Sequence, residues 1–182
     1  MVKTLGVVEV RPNADLPRLM ACRRLGGKSL LEWTVRRMTE CLRLDRVLVL
    51  CPRIPQTREL MDLVPRDVPL AVSDRPDALA RLVDMLEKHP AESVVVVAAE
   101  HPFVDPELID RLIITADHYP ESDYISFCSR TGLPTVLSPL GLMASGCGPA
   151  HCGRPMRKPE ICPIERAWPA IWLRGRSAFS CD

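Results

Sequence analysis

The sequence predicts a three-layer α/β domain, with a mostly parallel sheet carrying helices on both faces. Three observations lead there. Short apolar, β-branched runs alternate along the chain with segments of helical periodicity, which is the element order of a parallel sheet. The run Ser93-Val94-Val95-Val96-Val97-Ala98-Ala99 is apolar almost throughout, as a strand covered on both faces must be. At 182 residues and 47% hydrophobic content the chain can bury one core, so a single domain is the default.

The elements follow in order. Leu5-Gly6-Val7-Val8-Glu9-Val10 opens the sheet as a buried strand. A long irregular loop comes next, bearing Arg11, Asp15, Arg18, Arg23, Arg24 and Lys28. It ends at Ser29-Leu30-Leu31-Glu32, whose S-x-x-E spacing is that of a capping box. A helix is predicted over residues 30–42, with Leu31, Val35, Met38 and Leu42 on one stripe and Arg36, Arg37 and Glu40 opposite. Arg46–Cys51 is the second strand, closed by Pro52 and Pro55, and residues 56–63 form a short helix. Val68–Val72 is a weaker strand, because Pro69 limits its pairing.

The polar loop Ser73–Asp77 then enters a helix whose apolar face is Leu79, Leu82, Val83 and Leu86, which leaves Arg81 on the other side. After the Ser93–Ala99 strand, Asp105-Pro106 has the pattern of an N-cap with proline at the first helical position. That helix runs to about His118 with Leu108, Ile109, Leu112 and Ile113 inward, and residues 123–127 alternate as a fifth strand. Beyond residue 145, Pro, Gly, Arg and Cys are dense and no apolar period is sustained. The expected organisation is an α/β domain over residues 1–145 and a loop-rich tail over 146–182.

Composition removes some function classes. A formal net charge of +1 argues against a general nucleic-acid binder. No apolar segment is long enough to span a bilayer, and the opening Met1-Val2-Lys3-Thr4 lacks the pattern of a signal peptide, so a cytoplasmic protein is expected. In that setting Cys22, Cys41, Cys51 and Cys128 read as reduced, partly buried thiols. Cys147, Cys152, Cys162 and His151 have the donor chemistry for Zn²⁺ but no C-x-x-C pair, so no metal is assigned to them.

An open α/β sheet binds its ligand beyond the carboxyl ends of its strands. That rule brings four loops together: residues 11–28, 51–55, 73–77 and 100–105. A strand, a basic loop and a helix N-terminus are a good arrangement for holding a phosphate chain. No G-x-G-x-x-G follows a strand, and Gly27-Lys28-Ser29 only imitates the end of a P-loop, since Cys22 stands where the first glycine belongs. Each candidate also has a plainer reading. Arg11, Lys28 and Arg81 would then be solvated surface charges, Glu100 would line or cap a loop, His101 would be an ordinary loop histidine and Asp105 an N-cap alone.

The first loop resembles the cytidylyltransferases of surface-polysaccharide synthesis: the CMP-sialic acid and CMP-KDO synthetases and the spore coat polysaccharide biosynthesis protein F group. Their opening pattern is A-R-x-x-S-x-R-L-P-x-K, then L-x-G-K-P-L-L-E-W. Arg11 takes the place of the first arginine, and Leu25-Gly26-Gly27-Lys28-Ser29-Leu30-Leu31-Glu32-Trp33 matches the second half. Asp77-Ala78-Leu79-Ala80-Arg81 is similar to the family's D-V-L-x-R. Glu100-His101-Pro102-Phe103-Val104-Asp105-Pro106-Glu107-Leu108-Ile109-Asp110 is similar to its D-x-P-L-I-D-P-x-x-I-D, and Ser122–Ser126 to its A-D-Y-V-S. The likeness runs over residues 4–145.

The resemblance implies a fold like that of the nucleotide-diphospho-sugar transferases, without a match to the family's further C-terminal portion. It also implies transfer of CMP from CTP to a sugar or sugar acid. Arg11, Lys28 and Arg81 would contact the nucleotide, and Glu100, at the family's metal-binding aspartate, would hold Mg²⁺; Arg11 and Glu100 would serve the reaction directly. CTP and a small sugar would be the partners, with no nucleic acid or membrane, and with a homodimer among the assemblies it allows. The chain departs from the pattern inside the first loop. The family's serine, second arginine and lysine fall on Ala14, Leu16 and Met20, or in a shifted register Asp15 stands at that arginine and Leu19 at the lysine. Losing one such charge costs about 2.7–4 kcal/mol of transition-state stabilisation. The alternative reading is therefore a homologue that keeps the fold but not the reaction, a nucleotide-binding or partner-binding module, or a truncated product.

Overall fold

The computed structural model describes residues 2–12, 19–120, 124–127 and 145–147. Strands β1 (Val2–Glu9), β4 (Arg46–Pro52), β5 (Leu70–Ser73) and β6 (Ala91–Ala98) form the parallel part of a six-stranded sheet, in the order β5-β4-β1-β6. Two short strands, β7 (Tyr124–Ser126) and β8 (Ser145–Cys147), complete it. β8 runs antiparallel between β6 and β7, so the full order is β5-β4-β1-β6-β8-β7. The sheet is mostly parallel, as its sequence pattern requires. The boundary expected after residue 145 falls inside β8; residues 148–182, with Cys152, Cys162, Cys181 and His151, lie outside the described residues, as does Cys128.

Alternation along β1 sets the two cores. Val8 and Val10 face helices α1 (Leu30–Thr39), α2 (Thr57–Leu63) and α4 (Pro106–His118), whose Leu31, Val35, Met38, Leu60, Ile109 and Leu112 share that core. Leu5 and Val7 face α3 (Ala78–Lys88), meeting Leu82 and Met85. Three layers result, with α3 the helix on that second face among the described residues. Gly6 is small because a Cβ there would come within 2.7 Å of Leu44 Cδ1 and 2.9 Å of Met38 Cε.

Several local readings are met. Ser29 caps α1, accepting from Glu32 N at 3.0 Å, and Asp105 caps α4 with Pro106 in its first turn. Two readings are corrected. Helix α1 stops at Thr39, so Leu42 lies past its end and is 92% exposed rather than on the apolar stripe. The first loop is not irregular throughout. It holds a 3₁₀ turn at Met20–Cys22 and a tight hairpin, β2 (Arg24–Leu25) with β3 (Lys28–Ser29). Gly26 and Gly27 make the two-residue turn with φ of +57° and +87°, the left-handed pair that a type I′ turn needs. That geometry also disposes of the P-loop imitation.

Candidate functional site

The four parallel strands point their carboxyl ends at one edge of the sheet, and the loops leaving them are cross-tied. Glu9 closes β1 on the α3 side, two residues beyond Val7. Its side chain is only 3% exposed. A carboxylate so buried must be paired. Arg11 Nε donates to Glu9 Oε2 at 3.0 Å, and Arg81 Nη2 donates to Oε1 at 3.3 Å. Arg81 Nη1 also reaches the carbonyls of Pro76 at 2.9 Å and Arg75 at 3.3 Å. One guanidinium thus ties the loop between β5 and α3 to the end of β1.

Arg81 is 4% exposed, so the expectation of a surface charge turned away from the apolar face is corrected. Helix α3 buries Ala78, Arg81, Leu82 and Met85 instead. Its N-terminus is fixed by Asp77, which accepts from Ala80 N at 2.8 Å. The loop before it is held from the β4 side: Arg53 N donates to Ser73 O at 2.9 Å, and Arg53 Nε pairs with Asp74. Among the described residues Arg81 Nε is a buried donor with no acceptor.

Glu100 and His101 follow β6, beside β1. Burial pushes the Glu100 carboxyl above its ordinary value, with the nearby positive charge of Arg11 opposing that rise and Glu9 adding to it. Burial and the same Arg11 charge hold His101 below its ordinary value, favouring the neutral imidazole. Arg11, Glu9, Glu100 and His101 therefore share one electrostatic neighbourhood. Helix α1 braces that loop: Thr34 Oγ1 donates to Ala99 O at 3.0 Å, and Arg37 Nε to Val104 O at 3.2 Å.

Lys28 sits on the hairpin instead. Its Nζ pairs with Glu32 at 2.7 Å and lies 6.0 Å from the Trp33 ring centre. Trp33 Nε1 in turn donates to Leu25 O at 2.7 Å, pinning the hairpin to α1. The structure thus brings together Arg11, Arg81 and Glu100 among the expected site residues, through Glu9, and holds Lys28 on a separate ion pair. Leu19, one of the two positions at which the family's lysine falls, is buried in the α1-side core and supplies no charge. Asp15 and Arg18 lie outside the described residues.

Among the described residues Cys22, Cys41 and Cys51 are free, buried thiols. Burial pushes Cys51 up to about 11 and Cys41 up to about 12, which leaves both protonated and inert at neutral pH. Among the described residues no group of three His, Cys, Asp or Glu side chains is placed to hold a metal ion. None of the described helices is long and apolar enough to cross a membrane. A cavity of about 630 Å³ opens at the opposite, amino-end edge, between Lys3, Asp45, Arg46, Lys88 and His89, far from this cluster in the sheet.

The mostly parallel sheet, with charged side chains gathered at its carboxyl edge, is an α/β arrangement of the kind that binds ligands beyond its strand ends. Residues 21–150 match the model of the MobA-like NTP transferase domain, and the chain belongs to that family. A 3-deoxy-manno-octulosonate cytidylyltransferase of Leptospira interrogans serogroup Icterohaemorrhagiae serovar Lai (strain 56601) is 25% identical over 122 residues. That match covers 66% of this chain and 49% of the relative, so the chain spans about half the relative's length. A cytidylyltransferase from Leptospira borgpetersenii serovar Hardjo-bovis (strain JB197) has a similar fold, with a TM-score of 0.65 at 13% identity. It covers 83% of this chain and 61% of its own. The CTP complex of a CMP:2-keto-3-deoxy-manno-octonic acid synthetase also has a similar fold, with a TM-score of 0.59 at 17% identity, over 69% of this chain and 52% of that one.

Proposed function

We propose that the chain is a cytidylyltransferase-type enzyme that transfers CMP from CTP to a sugar or sugar acid for surface-polysaccharide synthesis in the cytoplasm. One observation carries the reading. Arg11 and Glu100 follow the paired ends of the neighbouring strands β1 and β6, at the carboxyl edge of a nucleotidyltransferase-family sheet, and the charge of Arg11 acts on Glu100. The names of the Leptospira relative and of the CTP-bound synthetase support the base and the class of sugar.

In this reading a sugar hydroxyl attacks the α-phosphorus of CTP and pyrophosphate leaves. Arg11 offsets charge on the phosphates, Lys28 meets them from the hairpin, and Arg81 acts from behind by fixing the Arg75–Pro76 backbone. Glu100 would hold Mg²⁺. A single partly buried carboxylate suits an ion that takes its other ligands from phosphates and water, which is the usual habit of Mg²⁺. When bound, that ion supplies charge neutralisation on the phosphates. Protonation of Glu100, which its burial favours, works against ion binding at low pH and is relieved as pH rises.

A second reading has its own observation: Leu19 is apolar core, and Arg11 is already paired with Glu9. It is a homologue that binds nucleotide without transferring it. Incubation with CTP, Mg²⁺ and a panel of sugar acids, with pyrophosphate release followed, tests both. Turnover abolished by Glu100→Ala supports the enzyme. CTP binding without turnover supports the module, and failure to bind CTP overturns both.

A further inference from the structure

Glu9 is enclosed, and both of its oxygens are spoken for. Arg81, 4% exposed and fixed by two backbone carbonyls, is the rigid half of its socket. Arg11, 27% exposed, is the less buried half, and its charge acts on Glu100 and His101. A carboxylate offers a guanidinium the same pair of anionic oxygens that a phosphate does, and arginine meets both with the same planar donors. Glu9 therefore removes one unit of positive charge from the place where a phosphate chain would seek it.

We propose that Glu9 is an internal stand-in for a phosphate, a specificity-determining residue that sets how tightly Arg11 and its neighbours hold a polyphosphate. The arriving phosphate draws the Arg11 guanidinium from Glu9 Oε2, while Arg81 keeps Oε1. Binding is an exchange of anions on Arg11, and Glu9 counts against affinity. The inference rests on the nucleotide reading of this site and deepens it, since it assigns control of substrate affinity to a residue beneath the ligand.

The test is calorimetric titration of the full chain and of Glu9→Gln with inorganic tripolyphosphate, and separately with CTP and Mg²⁺. The variant is expected to bind tripolyphosphate about tenfold more tightly, the lower end of what one charged hydrogen bond contributes. Equal or weaker binding by a folded variant, or no binding by either protein, overturns the proposal. Glu9→Gln also deprives Arg81 of its charge partner, so the wild-type chain provides a reading that needs no stable variant. The NMR signal of the Arg11 Nε–H group, assigned with Arg11→Lys, is expected to shift on saturation with tripolyphosphate; an unmoved signal overturns the proposal. Tighter tripolyphosphate binding by the variant, with CTP bound by neither protein, supports the proposal and removes the nucleotide reading. Tripolyphosphate and CTP each bound equally by both proteins removes the proposal and leaves that reading in place.

Discussion

Replacing Arg81 by alanine would leave Glu9 with one partner inside a closed space and would free the Arg75 and Pro76 carbonyls. Breaking a buried pair from one side costs about 3–5 kcal/mol. Urea unfolding of Arg81→Ala should show that loss as a lower midpoint with an unchanged slope. Glu100 behaves in the opposite way. Its folded-state pKa is raised, so its protonated form favours the fold and the stability it contributes is lost as pH rises through that pKa. Glu100→Gln should therefore raise the melting temperature at neutral pH, and the gain should vanish in acid. Arg11 and Glu100 were legible because the family pattern marks their positions. Glu9 was not, although it carried a signal. A lone carboxylate in an otherwise buried, β-branched run needs a partner, and only the fold shows that the partner comes from position 81.

Helix α3 shows why element faces are harder to read than elements. Its apolar residues permit two stripes, one through Leu79 and Val83 and another through Ala78 and Met85, both including Leu82. The choice between them is made by Arg81, whose acceptors lie on β1 and on the loop before the helix, and periodicity carries no information about those. The β2–β3 hairpin escaped the sequence for a different reason. Strands of two residues are too short to show any period, so only the Gly26-Gly27 pair marked it. Gly27→Ala would force a side chain into φ of +87° and should cost about 1–2 kcal/mol. At the next junction, Ser29→Ala removes the hydroxyl that receives Glu32 N, and a loss of about 1 kcal/mol is expected by thermal melting. Any change in CTP affinity in these two variants would report how far the hairpin serves the crevice.

Across the molecule, the order of the parallel strands and helices was legible because apolar runs and helical stripes alternate without conflict. The insertion of β8 was not, since Ser145-Gly146-Cys147 has neither length nor β-branched content. The sheet divides the interior into two cores, and this has a measurable consequence. Ile109→Val on the α4 side should cost about 0.5–1.5 kcal/mol and Leu82→Ala on the α3 side about 2–5 kcal/mol. With the sheet between them, the double variant should lose the sum of the two to within about 0.5 kcal/mol.

Among the described residues the last strand along the chain, β8, is fifth in the sheet order, between β6 and β7, and not at the rim. Val94, Val95 and Val96 present their outer backbone groups to Cys147, Gly146 and Ser145, and among the described residues Tyr124–Ser126 pairs with those same three residues. A ribosome must therefore deliver position 147 before this flank can be sealed. Until then the valine-rich rim is an open invitation to a strand from another molecule. Any shortened version ending before residue 145 should be more prone to aggregate than the full chain, however sound the rest of its fold.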